Sequence, residues 1–358
     1  MKKSLIALAA VAATGAAMAQ SSVTVYGVVD TSVGYVKGQD NVSGLLNSGA
    51  ATSRLGFRGV EDLGNGLKAE FVLEGQVNPD NGTAGGDNAG FDFKRQATVG
   101  LTSADFGTVR LGRALTASYN AVSRYDMFGT VGLGSTLAWN KYDGTTIYNN
   151  RANNMISYIS PKFAGFGVGI DYGFGEQSEN RTARYVGLGA TYDNGPLSLG
   201  LGYDKQNNAL NAGNPTATPA VPAGAVDHTT WQLGGSYDFT VAKVAAFYSE
   251  NKGKTIATGT VNKLKTYNLG VSAPVGAAGV VKASYNNYKF SESKQKAQQL
   301  SLGYVHSLSK RTAVYGTYSY LKNKNDGAFE LNSAFAGANG ANESGKMQGL
   351  QVGVRHAF

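Results

Sequence analysis

No cysteine occurs anywhere in the 358-residue chain, which removes disulfides, zinc–thiolate sites and cysteine nucleophiles at once. Beyond Ala19 there is no run of about 18 apolar residues, so no membrane-spanning helix is predicted. Proline is scarce, with 7 residues, and the 42% apolar content is spread evenly without a linker or a break in composition. The chain therefore reads as a single domain. A mean hydropathy of -0.21 would ordinarily suggest a soluble protein. It does not exclude a membrane β-barrel, in which only alternate residues of each strand face lipid.

The first nineteen residues hold Lys2 and Lys3, an apolar run from Leu5 to Ala13 and the small-residue site Ala17-Met18-Ala19. This pattern predicts a cleaved export signal over 1–19, with the mature domain over 20–358; the apolar run is too short for a membrane anchor. Export without cysteine suits a bacterial envelope protein. Removing Lys2 and Lys3 leaves 30 basic against 24 acidic residues, a net charge of about +6. No basic run with interleaved aromatics accompanies the excess, so a nucleic-acid partner is not expected.

Glycine (49) and tyrosine (20) are abundant, and segments of about ten alternating residues recur between turn residues, the signature of transmembrane barrel strands. Leu197, Leu199, Leu201 and Tyr203 alternate with Ser198, Gly200, Gly202 and Asp204. Tyr267, Leu269 and Val271 repeat the pattern, as do Leu300, Leu302 and Tyr304, and finally Leu350, Val352, Val354, His356 and Phe358. Strand starts fall near Val23, Ser53, Leu67, Lys94, Thr108, Asn153, Gly165, Arg184, Leu197, Thr230, Val244, Lys263, Val280, Lys296, Thr312 and Lys346. Connections alternate between tight ones, such as Gly64-Asn65-Gly66 and Asp193-Asn194-Gly195, and longer ones. The prediction is an all-β, sixteen-stranded antiparallel transmembrane barrel with short periplasmic turns and long outer loops. A soluble β-sandwich also alternates, but it would not set Gly, Ser, Thr, Asn and charge opposite the apolar face. Sixteen strands leave an aqueous interior.

Ser53 to Ala69 reads SRLGFRGVEDLGNGLKA and closely resembles the Gram-negative general porins, particularly those of β-proteobacteria and Neisseria. Val23-Thr24-Val25-Tyr26-Gly27, Arg95 to Leu101, Val109 to Arg113 and the terminal Phe358 extend the resemblance along the mature chain. It implies a homotrimer in outer-membrane lipid and lipopolysaccharide, inserted by the barrel-assembly machinery through recognition of Phe358, and passing small hydrophilic solutes and anions. It also implies a third outer loop folded inward. The long connection at 114–150 fits that loop, and Gly129, Gly132, Gly134, Tyr119, Tyr125, Phe128 and Trp139 would let it pack on the wall.

With Leu55 and Phe57 toward lipid, period two turns Arg54 and Arg58 into the lumen. Lipid-facing arginine would cost about 2 to 4 kcal/mol at the midplane. Ala69, Phe71 and Leu73 toward lipid likewise place Lys68, Glu70 and Glu74 inside. Parity is ambiguous at Arg95, which the resemblance assigns to the pore; Arg151 resembles a further basic eyelet residue. Asp126 and Asp143 are candidates for the acidic side of the constriction, though only two acids stand among Arg113, Arg124, Lys141 and Arg151, which argues against an acid-rich, cation-selective eyelet. A weakly to moderately anion-selective diffusion channel follows, the alternatives being a substrate-specific anion channel or a surface adhesin or receptor barrel.

Catalysis is not expected. His306 and His356 fall on lipid parity, and His228 follows Pro215, Pro219 and Pro222 in an apparent loop without a partner. No phosphate loop, HExxH or calcium-loop spacing appears, so neither metal nor cofactor is expected.

Overall fold

The computed structural model describes residues 22–85, 90–138, 150–176, 183–211, 224–332 and 345–358. The export segment 1–19, Trp139, Lys141, Asp143 and the proline-rich stretch lie outside the described residues.

The strands are β1 (Ser22–Lys37), β2 (Asn41–Asn47), β3 (Arg54–Gly64), β4 (Leu67–Asn78), β5 (Thr83–Ala84), β6 (Gln96–Ser103), β7 (Gly107–Leu115), β8 (Arg151–Ile159) and β9 (Phe166–Gly173). They continue as β10 (Tyr185–Asn194), β11 (Leu197–Asn211), β12 (Gly224–Asp238), β13 (Lys243–Thr255), β14 (Val261–Val275), β15 (Gly279–Phe290), β16 (Lys296–Ser307), β17 (Thr312–Lys324) and β18 (Lys346–Ala357). Seventeen of them fill the sixteen positions of a closed antiparallel wall. β5 only caps the outer end of β4. β2 and β3 share one wall position, pairing with the outer and inner halves of β1 respectively. Between them the chain breaks at 48–53, and Asp30 on β1 pins the break. Its carboxylate accepts the N–H groups of Gly49, Ala50 and Ala51 at 3.1, 3.0 and 2.7 Å and the Tyr315 hydroxyl.

Fifteen of the sixteen expected starts fall within two residues of an observed one. The exception is β12, which begins at Gly224 rather than near Thr230, so His228 lies in a strand and not in a loop. The tight turns stand where expected, with Gly66 (φ +77) supplying the left-handed conformation that the first of them needs.

Alternation decides which side chain meets which medium. Val99, Leu269, Leu302, Leu350 and Val352 are exposed on the outer face, while Gln232, Asn251, Gln299, Ser301 and Gln351 are buried on the inner one. The outer half of the lumen is less polar than the sequence pattern suggests. Val36, Leu264, Tyr288, Leu321 and Met347 point inward there and pack with Leu133, Leu137 and Leu331 from the loops.

Closure joins the two ends of the chain. β1 and β18 pair from Val28↔Ala357 to Lys37↔Gln348, and Gly27 and Phe358 exchange N–H···O=C bonds at 3.1 Å. Gly27 leaves room for the Phe358 ring, which lies against it. A charged residue at this seam meets lipid instead. Phe358→Asp is expected to lower the outer-membrane level of the protein severalfold while leaving single-channel conductance of the inserted fraction unchanged. Immunoblots of membrane fractions alongside planar-bilayer recordings check both halves.

Candidate functional site: a slot between loop and wall

After β7 the chain turns into the lumen. Thr116 caps the short helix α1 (Ala117–Val122), its hydroxyl accepting the Tyr119 N–H. A single 3-10 turn follows at Ser123–Tyr125. The loop then runs along the inner wall, and it can do so because the wall is bare where it passes. A side chain at Gly189, Gly200 or Gly234 would collide with Ala117, Ala121 or Tyr125, and one at Gly270 or Gly303 with Met127 or Phe128.

Polar side chains around that track hold the loop backbone. Asp171 accepts the Ala117 N–H. Gln299 donates to the carbonyls of Leu133 and Ser135, both at 3.2 Å. The Tyr288 hydroxyl accepts the Leu137 N–H at 3.0 Å, and Asn251 donates to the Ala138 carbonyl at 3.0 Å. Arg124 forks onto Asp193 at 2.9 and 3.2 Å. The loop is thus fixed against β9 through β18, and the open passage is displaced toward β2 through β8.

Asp126, expected on the acidic side of the constriction, is instead 5% exposed. Its carboxylate accepts the N–H groups of Phe128 and Thr136 at 2.9 and 3.1 Å and a backbone bond from Thr130. Burial pushes its carboxyl upward in pKa, opposed by those backbone donors. It folds the loop on itself rather than facing the passage.

Across the slot stands the basic wall. A cavity of about 690 Å³ separates Tyr119 and Gly129 to Gly132 on the loop from Arg54, Gln76, Arg95 and Arg151 on the wall. Glu74 ties two of the arginines together, with Arg95 Nε at 2.6 Å and Arg54 Nε at 3.4 Å. The Tyr26 hydroxyl donates to the same carboxylate at 3.0 Å. Arg151 Nε donates to the Arg95 carbonyl at 2.6 Å. Arg58 is exposed one step closer to the β3–β4 turn, its guanidinium 5.3 Å above the Tyr26 ring. Glu70 sits nearer the same turn, outside this cluster.

Arg95 escapes the parity that made it ambiguous because β6 starts at Gln96, so the strand's alternation does not bind it. Three features went unread in the sequence. The lumen-face glycines looked like filler for a wet interior; their signal was recurrence at inward parity on successive strands. Tyr26 shares inward parity with Arg54 and Arg58. The Asp30 clamp spans chain separations that alternation does not encode.

Comparison with known proteins bears on this geometry. The family model described as Gram-negative porin matches residues 5–326. Outer membrane porin protein 32 of Delftia acidovorans is 46% identical with full coverage of both chains. Major outer membrane protein P.IB of Neisseria meningitidis is 32% identical over 54% of this chain and 56% of its own. Among solved structures, an anion-selective porin from Comamonas acidovorans aligns at a TM-score of 0.84 and 43% identity, over 95% of this chain and 100% of its own. OmpT of Vibrio cholerae, in a trimer form, shares the fold at a TM-score of 0.69 and 16% identity, over 94% and 99%.

If bare wall positions seat the loop, adding bulk there narrows the slot without touching its charge. Gly200→Leu and Gly234→Leu are expected to lower single-channel conductance while leaving the ratio of anion to cation permeability within about twofold of wild type. Unchanged conductance in both variants would show that the loop is not seated by these contacts.

Proposed function

The chain belongs to the Gram-negative porin family of outer-membrane channels, and from that premise we propose that its slot passes small hydrophilic solutes by passive diffusion with a several-fold preference for anions. The observation that carries this reading is the asymmetry of the slot. Three guanidinium groups project from the wall, whereas the loop edge opposite them is uncharged and Asp126, the one acid among the described loop residues, is turned inward. The similar Comamonas acidovorans porin, described as anion-selective, supports the same direction.

Magnitudes set the strength. Arg54, Arg58, Arg95 and Arg151 stand against Glu74 and Asp80, a net of two positive charges. At about 8 Å in water each contributes about 0.5 kcal/mol, and screening at about 0.1 M salt, with a Debye length near 10 Å, removes roughly half. The remaining difference between an anion and a cation is about 1 kcal/mol, or about fivefold. That is a bias, with no catalytic step.

We propose further that the barrel works as a homotrimer embedded in outer-membrane lipid and lipopolysaccharide, its insertion guided by the barrel-assembly machinery reading Phe358. The trimeric OmpT of Vibrio cholerae supports this.

Reversal potentials across a potassium chloride gradient should favour chloride over potassium several-fold, falling as salt rises. Arg54→Glu with Arg58→Glu should abolish or reverse the preference, and Glu74→Gln should strengthen it. A wild-type cation preference, or a double variant indistinguishable from wild type, would overturn the assignment. Light scattering corrected for detergent should give three chains per particle; a monomeric mass refutes the trimer.

A further inference from the structure

The outward face of the wall carries a row of like charges at its loop end. Cross-strand pairing sets Lys265 of β14 opposite Lys289 of β15, Lys289 opposite Lys296 of β16, and Lys296 opposite Lys324 of β17. The four share the outward parity of Tyr267, Tyr285, Leu300 and Tyr318, while their neighbours Leu264, Tyr288, Ala297 and Asn323 are buried on the lumen side. Adjacent strands lie about 4.8 Å apart, so four lysine stems rise within about 15 Å of wall. Like charges directly opposite each other destabilise a sheet, and here the repulsion recurs on three successive strand pairs. A further like pair, Lys322 opposite Lys346, carries the pattern onto β18 one step lower.

Lysines elsewhere on this rim are relieved. Lys205 of β11 stands between Val186 and Thr229, and Lys254 of β13 lies opposite Asp227. Lys252 faces Lys263, but Glu250 lies 3.5 Å from Lys263 and 3.6 Å from Lys265. That carboxylate reaches only the β14 end of the row. Lys289, Lys296 and Lys324 form no ion pair among the described residues, although Glu292 and Asp326 stand in the adjoining loops.

The row also lies where acyl chains give way to headgroups. Leu269, Tyr285, Leu300 and Tyr320 stand on the same four strands, about 13 Å nearer the periplasmic end, and begin the apolar band. Tyr267, Asn287 and Gln298 come between the two levels, polar and aromatic as an interface requires. We propose that the row from Lys265 to Lys324 binds the phosphates of an anionic glycolipid of the outer leaflet, whose acyl chains lie against Leu269, Tyr285 and Leu300. The assignment rests on the outer-membrane reading only for which lipid covers this face. A phosphate between two ammonium groups turns each repulsive pair into two charge-assisted contacts. A second copy of the chain would instead bring a row of the same sign, and a zwitterionic headgroup would add a further cation.

Native mass spectrometry of the detergent-solubilised protein titrated with bisphosphorylated lipid A reads binding independently of conduction. Saturable binding is expected, weakened about tenfold or more when Lys265→Gln, Lys289→Gln, Lys296→Gln and Lys324→Gln are combined. The same four positions changed to arginine should keep it. Lys205→Gln, Lys310→Gln and Arg311→Gln together, which remove exposed charges away from the row, should leave it unchanged. Dephosphorylated lipid A should bind wild type about tenfold more weakly. Folding of each variant is checked by single-channel conductance in about 1 M salt, where screening acts within about 3 Å. Should the fourfold variant not insert, Lys289→Gln with Lys296→Gln is expected to weaken binding about threefold. No binding to wild type, equal binding in the glutamine variants, an equal loss in the distant variant, or equal binding of dephosphorylated lipid A would each overturn the proposal. A barrel that conducts but does not bind lipid A refutes the row alone; one that binds it but carries no current retains the row and refutes the channel reading.

Discussion

Lipid offers no partner to a backbone N–H or C=O, and each one left unpaired costs several kcal/mol. For strands, the only complete solution is a sheet whose last strand pairs with its first, as β1 does with β18. Closure then fixes the chemistry of every residue in the wall. One parity meets acyl chains and the other meets the lumen, so the usual relation between burial and polarity is inverted: glutamine, asparagine and serine are buried while leucine and valine are exposed.

A sixteen-stranded wall leaves more interior than its own side chains can fill. The third loop occupies that surplus, and it brings backbone groups of its own that need partners. The lumen face meets this need with two kinds of residue. Glycines give the loop room to approach, while Asp171, Asn251, Tyr288 and Gln299 satisfy the donors and acceptors it carries. The apolar cluster around Val36, Leu264, Leu321 and Met347 seats Leu133 and Leu137 in the outer half. Because these contacts belong, apart from Val36 on β1, to β9 through β18, the loop is drawn to one side. The passage is left beside β2 through β8, where the arginines are. The position of the slot is a consequence of where the glycines and amides lie.

The wall was legible because period-two alternation is a local signal, repeated about sixteen times, and a shift of one residue would turn every side chain to the wrong medium. Arg54, Arg58 and Glu74 were legible for the same reason. Where regular alternation stops, the signal stops: Arg95 stands one residue before its strand, and the resemblance to a family, not the pattern, carried it into the pore. His228 was misread as a loop residue because the proline-rich stretch before it hid the early start of β12. Asp126 was misread because a carboxylate that turns back on its own backbone has the same sequence context as one that faces solvent. Only the folded loop, with the N–H groups of Phe128 and Thr136 around that carboxylate, tells the two apart.

Crowding guanidinium groups on one wall raises a problem of its own, since flexible like charges move apart. The structure fixes most of them with carbonyl oxygens rather than carboxylates. Arg151 is held by the Arg95 carbonyl, Arg113 by that of Lys94, and Arg54 in part by that of Thr52. A carbonyl orients a guanidinium without cancelling its charge, whereas a carboxylate does both. Glu74 neutralises while clamping two arginines and Tyr26, and Asp80 adds a second negative charge to the slot lining. On the proposed reading, the balance between the two kinds of partner would set the field in the slot: enough positive charge to draw an anion in, and enough neutralised to let it leave, as conduction requires of any site along a channel. A wall held wholly by carboxylates would have no preference. One held wholly by carbonyls would retain the anion, and flux would fall as selectivity rose.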